Sequence, residues 1–337
     1  MYRKFSFMVL VITGIFLFSA VDRGLCDDVR EEREEKTLEI SKLEKKKPTF
    51  KLSSVAGLFY GFDTNARLSA ESKGDHYEEF LWSSSVIKPW IARTKFVFNY
   101  DLDVLNYNEA TDISNILNHG RFVVDKKLFD WLNVGIGDDL AIYAYTNNDD
   151  GTFLFNKYLF YLKSKLARKT YHQLLFSYGE KYYTDRKAMG DDYGSTQEKE
   201  RRENRQSVEY NISSDITRKF YAKIMGRFSV NNSNDRYLDF YDYKSYEISP
   251  SITYKFTRKF DLSSNFIYLR KNYKSRLVTN ENYKEKENIY ATNLLFRYKL
   301  DKHNILSFLY TYRGDNANDS IDKYTENVFT CGWQYNF

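Results

Sequence analysis

The chain predicts an all-β protein, a transmembrane, antiparallel, up-and-down β-barrel of about 14 strands, with 12 and 16 also compatible. Three observations predict it. Long stretches alternate apolar and polar residues with period two, the spacing of a strand with unlike faces. The connections between these stretches alternate short and long. Aromatic residues make up 18% of the 337 residues, with 30 Tyr and 26 Phe against only 3 Pro and 15 Gly. One soluble core normally uses fewer aromatics, whereas aromatic girdles at two membrane interfaces account for the excess. With 29% charged residues, and no second apolar run near spanning length, a bundle of membrane helices is excluded.

The elements follow in order. Arg3 and Lys4 precede the apolar run FSFMVLVITGIFLFSA and the more polar VDRGLC, the three-part plan of a secretory signal peptide over residues 1–26. Cleavage near Ala20 or after Cys26 fits; Arg23, Gly24 and Leu25 match a lipoprotein box poorly. Residues 27–48, DDVREEREEKTLEISKLEKKKP, read as a charged arm or linker. Leu38, Ile40 and Leu43 are too few for a coiled coil. The barrel is expected over residues 49–337. If cleavage removes Cys26, Cys331 alone remains, and no intrachain disulfide can form.

The first predicted strand, TFKLSSVAGLFYGFD, carries Leu52, Ala56, Leu58, Tyr60 and Phe62 in register, and the second carries Phe80, Trp82 and Val86. In the third, Phe96, Phe98, Tyr100, Leu102 and Val104 face one way and Asn99, Asp101 and Asp103 the other. Ten further strands follow, from ILNHGRFVVD to HNILSFLYTYR, before the terminal one. Short, often basic connections (ARKT, SDITRK, TRK, LDKH) alternate with long polar ones (DTNARLSAESKGDHY, NNSNDRYLDFYDY, RGDNANDSIDKY). This is the parity of short turns at one membrane face and long loops at the other. Residues 184–204, dense in charge, are expected to be one such loop. Two residues fit imperfectly. Pro250 lies inside a predicted strand and Asp138 on an apolar parity, and a local bulge or shifted strand end is expected at each.

In the terminal strand, Phe329, Cys331, Trp333, Tyr335 and Phe337 share one face, and Thr330, Gly332, Gln334 and Asn336 the other. This strand resembles the closing strand of bacterial, porin-like outer-membrane β-barrels, which ends on Phe. The resemblance implies an outer-membrane location, a periplasmic N-terminal arm, and an assembly signal at Trp333, Tyr335 and Phe337 for the barrel-assembly machinery. The segment Tyr60-Gly61-Phe62-Asp63-Thr64-Asn65 also resembles the opening hairpin of the barrel in surface-lipoprotein assembly modifiers. The helical-repeat domain of those proteins has no counterpart here.

Chemistry is sparse. Of the 4 His, only His119 falls mid-strand with inward parity, beside Arg121, and no nucleophile is signalled near it. No enzyme activity, cofactor or metal site is expected, since no His/Cys/Asp spacing matches a ligand set. The inward parity instead selects pore-lining candidates: Asp101, Asp103, His119, Arg121, Arg205, Glu209, Lys223, Arg227, Arg297 and Lys299, with Glu247, Lys255 and Glu326 alongside. Both signs of charge across a lumen favour small polar solutes over apolar ones. The expected function is a passive pore for small hydrophilic solutes. The alternative is a non-transport barrel acting in surface assembly, export or structural contact through its outer loops. Expected partners are outer-membrane lipid and lipopolysaccharide, consistent with a net charge of +5. Nucleic acid is not among them, because the basic residues are scattered.

Overall fold

The computed structural model describes residues 50–68, 73–148, 151–192 and 194–337. The proposed signal peptide and charged arm therefore lie outside the described residues. Alternating strands and turns close on themselves as 14 antiparallel strands. These are β1 (Lys51–Asp63), β2 (Asp75–Pro89), β3 (Thr94–Tyr107), β4 (Asn115–Phe129), β5 (Leu132–Tyr145), β6 (Phe153–Ala167) and β7 (Thr170–Met189). They continue with β8 (Thr196–Asp215), β9 (Phe220–Ser233), β10 (Tyr243–Lys255), β11 (Phe260–Leu277), β12 (Lys284–Lys299), β13 (Asn304–Asp315) and β14 (Tyr324–Asn336). Each strand pairs with its neighbours in sequence, and β14 closes on β1 from Val55↔Asn336 to Asp63↔Val328. The Phe337 amide extends that seam by donating to the Ser54 carbonyl at 2.9 Å. Closure leaves no edge of unpaired backbone groups, which is the condition for a sheet to sit in hydrocarbon.

The alternation in the sequence becomes two surfaces. Leu58, Tyr60, Phe98, Phe122, Ile136, Phe160, Ile224, Ile252, Phe308 and Trp333 are exposed on the outer wall. Their parity partners Phe59, Asp63, Asp103, Val123, Ser229 and Arg297 are buried inside. Trp90, Phe129, Trp131 and Phe256 cluster at the short-turn rim, with Phe129 stacked on Trp131 at 5.7 Å. These are the aromatics of an interfacial girdle. Every strand exceeds the roughly 9–11 residues that a tilted crossing needs. The surplus projects from the long-loop rim.

Four expectations need correction. Residues 184–204 are not a loop, because β7 and β8 run 20 residues each and turn only around Gly190–Ser195. Above the hydrocarbon both faces of a strand are wet, so charge appears on both and the alternation fades. Pro250 causes no bulge. The β9–β10 pairing runs unbroken through Pro250↔Ile224, and β10–β11 holds one register on either side of the proline. Pairing with β11 lapses only at Ser249 and Pro250, where the ring removes a donor. Asp138 sits in regular register between Phe122 and Tyr158, exposed on the outer wall. It too has no bulge. Lastly, the aromatics do not all face lipid: Tyr77, Tyr107, Tyr143, Tyr145, Tyr183, Tyr243, Tyr273 and Tyr324 are buried on the inner face. Tyrosine offers an apolar ring and a polar tip, so it suits either wall.

Candidate functional site: the lumen wall

The inner wall is set by register, so its chemistry can be followed strand by strand. From β7 to β10 one row is entirely serine: Ser177 pairs with Ser207, Ser207 with Ser229, and Ser229 with Ser245. Ser229 Oγ donates to Ser207 Oγ at 3.0 Å. One row toward the short turns, Glu209, Arg227 and Glu247 are consecutive neighbours. Arg227 Nη2 reaches Glu209 Oε2 at 2.7 Å and its Nη1 reaches Glu247 Oε2 at 3.1 Å. Further rows hold Asn211, Met225 and Ser249, and then Ser213, Lys223 and Ser251. Apart from Leu175 and Met225, this wall presents short hydroxyls and paired ions, which water and polar solutes can wet.

The adjoining wall differs. On β1 and β11–β13 the inner face carries Phe59, Leu269, Ile267, Ile289 and Leu309, all buried. Beyond them, toward the long-loop rim, lies a cluster of carboxylates. Asp63, Glu285, Glu287, Asp315, Glu326 and Asp322 surround Lys271, Arg276 and Arg313. Lys271 Nζ contacts Glu287 Oε2 at 2.6 Å, and Arg313 Nη2 contacts Glu326 Oε2 at 2.5 Å. Acids outnumber bases here. On β7 and β8 the balance reverses, with Lys181, Arg186, Arg201 and Arg205 around Glu203 and Asp235. In the closed order of 14, Asp63 on β1 stands seven strands from β8, whereas Lys271 and Glu287 on β11 and β12 stand three and four strands from it, and both Arg205 and Lys271 lie near the Tyr243 ring.

A tier of aromatic rings spans this outer half. Tyr77 and Tyr107 pair at 5.4 Å, Tyr143 stacks on Phe153 at 5.2 Å, and Tyr243 meets Tyr273 at 5.6 Å. Lys181 Nζ lies 3.8 Å from the centroid of the Phe153 ring. Gly61 makes room for one of these rings, since a Cβ there would overlap Tyr77. The outer half of the lumen is thus packed with rings and paired ions. Toward the short turns, Asn99, Arg121, Gln173, Asn211, Lys223 and Ser251 are only partly covered.

All the pore-lining candidates fall on inner-face positions, in different settings. Asp101 and Asp139 flank His119, with Asp101 Oδ2 at 3.1 Å from its Nδ1, and Lys157 Nζ bonds Asp139 at 2.6 Å. Arg121 lies across from Asp139 in register. Asp103 is buried next to Leu81 and Leu117. Arg205 donates to Tyr243 Oη at 2.6 Å. Arg297 is locked to Asp261 at 2.6 Å, and Lys299 is partly exposed near the short-turn rim. Trp333, Tyr335 and Phe337 run along the outer side of the closing seam, with Phe337 against Trp82 at 5.5 Å. Sequence reasoning missed the serine row, because adjacency across strands is invisible in a linear chain. It also missed a hydroxyl–imidazole pair: Ser164 Oγ bonds His172, whose Nδ1 lies 3.2 Å from Tyr210 Oη. That pair faces outward, and the strands carrying it are paired on both sides. Their ladder amides are engaged in strand pairing.

No protein-family model matches the chain, and no curated protein matches it. Solved structures do. The outer-membrane expressed OmpT of Vibrio cholerae aligns with a TM-score of 0.51 at 9% identity, covering 88% of this chain and 99% of that one. An anion-selective porin from Comamonas acidovorans aligns at 0.49 and 7% identity, covering 86% and 100%. The CymD monoaromatic hydrocarbon channel aligns at 0.47 and 9%, covering 85% and 88%. At these identities the likeness is one of fold, that of outer-membrane β-barrels.

Proposed function

We propose that the protein is an outer-membrane channel for small hydrophilic solutes, with its short turns in the periplasm and a packed outer half acting as the gate. The observation that carries this reading is the β7–β10 wall, where the serine row adjoins the Glu209–Arg227–Glu247 triad. A solute crossing there exchanges water for hydroxyls and balanced charge, which suits polar molecules. A hydrocarbon would need continuous apolar lining. Buried inner apolar residues lie on β1, β4, β6 and β11–β13, including Phe59, Val123, Leu159, Ile267, Ile289 and Leu309, and the polar rows of β8–β10 interrupt them. The exterior belt makes lipid and lipopolysaccharide its surroundings, and the outward Trp333, Tyr335 and Phe337 suit the seam for recognition by an assembly machinery.

The buried tyrosine tier favours one second reading, a barrel without transport that works through its outer surface. Single-channel recording of the purified barrel in a planar bilayer separates the two. The channel reading expects discrete openings in KCl and faster swelling of proteoliposomes in small sugars than in isosmotic apolar-substituted solutes. Silent bilayers over the full voltage range would leave only the non-transport barrel.

A further inference from the structure

At the long-loop rim, between β12 and the loop joining β13 to β14, three carboxyl groups converge. Glu285 is the second residue of β12, Asp319 precedes the single helical turn Ser320–Asp322, and Asp322 ends that turn. One oxygen from each lies within 4.8 Å of the others, and all three residues are buried. A lone acidic cluster would mean little. The second observation is Glu285 itself, which is 1% exposed and whose Oε1 accepts no hydrogen bond. Leaving a buried carboxylate oxygen unpaired is costly.

Arg276 neutralises only part of this charge. Its Nε contacts Glu285 Oε2 at 2.5 Å and its Nη2 contacts Asp322 Oδ2 at 2.8 Å. It reaches them because the β11–β12 register shifts between Asn272 and Leu277, which turns Arg276 onto the inner face beside Glu285. Three carboxyl groups face one guanidinium, and burial pushes the Glu285 carboxyl up to about 9, so a bound cation displaces its proton. The groups are hard oxygen donors on a short loop, and Asp319 is already oriented by the amides of Thr279 and Ile321 at 2.8 and 3.1 Å. We propose that Glu285, Asp319 and Asp322 bind a calcium ion, which fastens the β13–β14 loop to the end of β12. Calcium takes six to eight oxygens with tolerant geometry, so the three carboxylates leave positions for backbone carbonyls and water. A rival neutralisation, a proton shared between Glu285 and Asp322, leaves no need for a metal.

The full-length barrel, folded in a maltoside detergent free of phosphate and stripped with EDTA, tests this by titration with Tb³⁺. Luminescence is read through excitation of nearby tyrosines such as Tyr273, whose ring lies 4.8 Å from the Arg276 guanidinium. The expected result is saturable signal at one ion per barrel, displaced by Ca²⁺ with a Kd on the order of 10⁻⁴ M, as in extracellular calcium modules. Ca²⁺ should also raise the unfolding midpoint of the wild type. Glu285→Gln and Asp319→Asn should each weaken binding at least tenfold, while Asp242→Asn, outside the cluster, should leave it unchanged. Absence of saturable Tb³⁺ signal in the wild type overturns the site, with the shared proton as the remaining account. Equal affinity in Glu285→Gln and wild type overturns it as well. If both ligand variants fail to fold, the wild-type titration and its Ca²⁺-dependent midpoint decide alone.

Discussion

Arg227 holds two carboxylates at once, and that makes it the most informative single side chain of the lumen. Its guanidinium is about a third exposed, so solvent screens the pairs, and their stabilisation falls well below that of a dry ion pair. Arg227→Met should lower the stability of the folded barrel by about 1 kcal/mol. It should also leave Glu209 and Glu247 unopposed, so the reversal potential in a KCl gradient should move toward cation preference. A shift toward anions would contradict the assignment of this row to the solute path. Asp138 makes the opposite case. It faces outward between Phe122 and Tyr158, and its Oδ1 accepts a bond from the Asp139 amide at 3.0 Å. An acidic residue on the lipid face is unfavourable, though less so than a basic one. Asp138→Leu should therefore raise the denaturation midpoint in lipid vesicles, by about 1 kcal/mol equivalent. Asp319 supplies a pH dependence. Its folded-state pKa lies below its ordinary value, so its contribution is full above about pH 4 and is lost as pH falls through the folded value. Proteolysis of the β13–β14 loop should accelerate as acid is added below pH 4, and Asp319→Asn should remove that acid dependence.

At the scale of elements, most of the barrel was legible because hydrocarbon imposes parity on the chain. Phe96 to Val104 and Tyr290 to Tyr298 could be assigned to one wall from spacing alone, and their registers agree. Legibility failed where that constraint ends. The charged ends of β7 and β8 stand beyond the bilayer, so both faces meet water and nothing in the sequence separates them from a loop. The inward tyrosines failed for a different reason, since tyrosine satisfies the outer parity as well as the inner one. The site was least legible of all. Ser177, Ser207, Ser229 and Ser245 meet only because three separate pairings align them. Glu285, Asp319 and Asp322 meet only through a helical turn folded back on β12. Pro250 carries an element-scale prediction. Its missing N–H leaves one gap in the β10–β11 ladder, on a strand otherwise paired on both sides. Pro250→Val keeps the lipid face apolar and restores the donor. The expected gain is about 1 kcal/mol, the net worth of one hydrogen bond, read as slower denaturant unfolding in micelles.

The whole molecule adds a property that no single strand holds. The carboxylate-rich cluster on β1 and β11–β14 and the cation-rich cluster on β7 and β8 occupy separate sectors of the same outer half of the lumen. Opposed charge in a confined, low-dielectric space sets up a field across the path, which orders water and small dipoles and penalises apolar solutes. The field has a direction, and this makes its test signed. Replacing Lys181, Arg186 and Arg205 together with glutamine removes positive charge from one wall. It should turn the channel toward cations and lower the voltage at which it opens, since Lys181 also anchors the ring tier through Phe153 and Tyr183. Replacing Glu287 and Glu326 with glutamine removes negative charge from the other wall and should turn selectivity toward anions. Reversal potentials measured on both variants in the same salt gradient must move in opposite senses. Movement in the same sense would mean that the clusters act only as internal ion pairs, and that solutes do not pass between them.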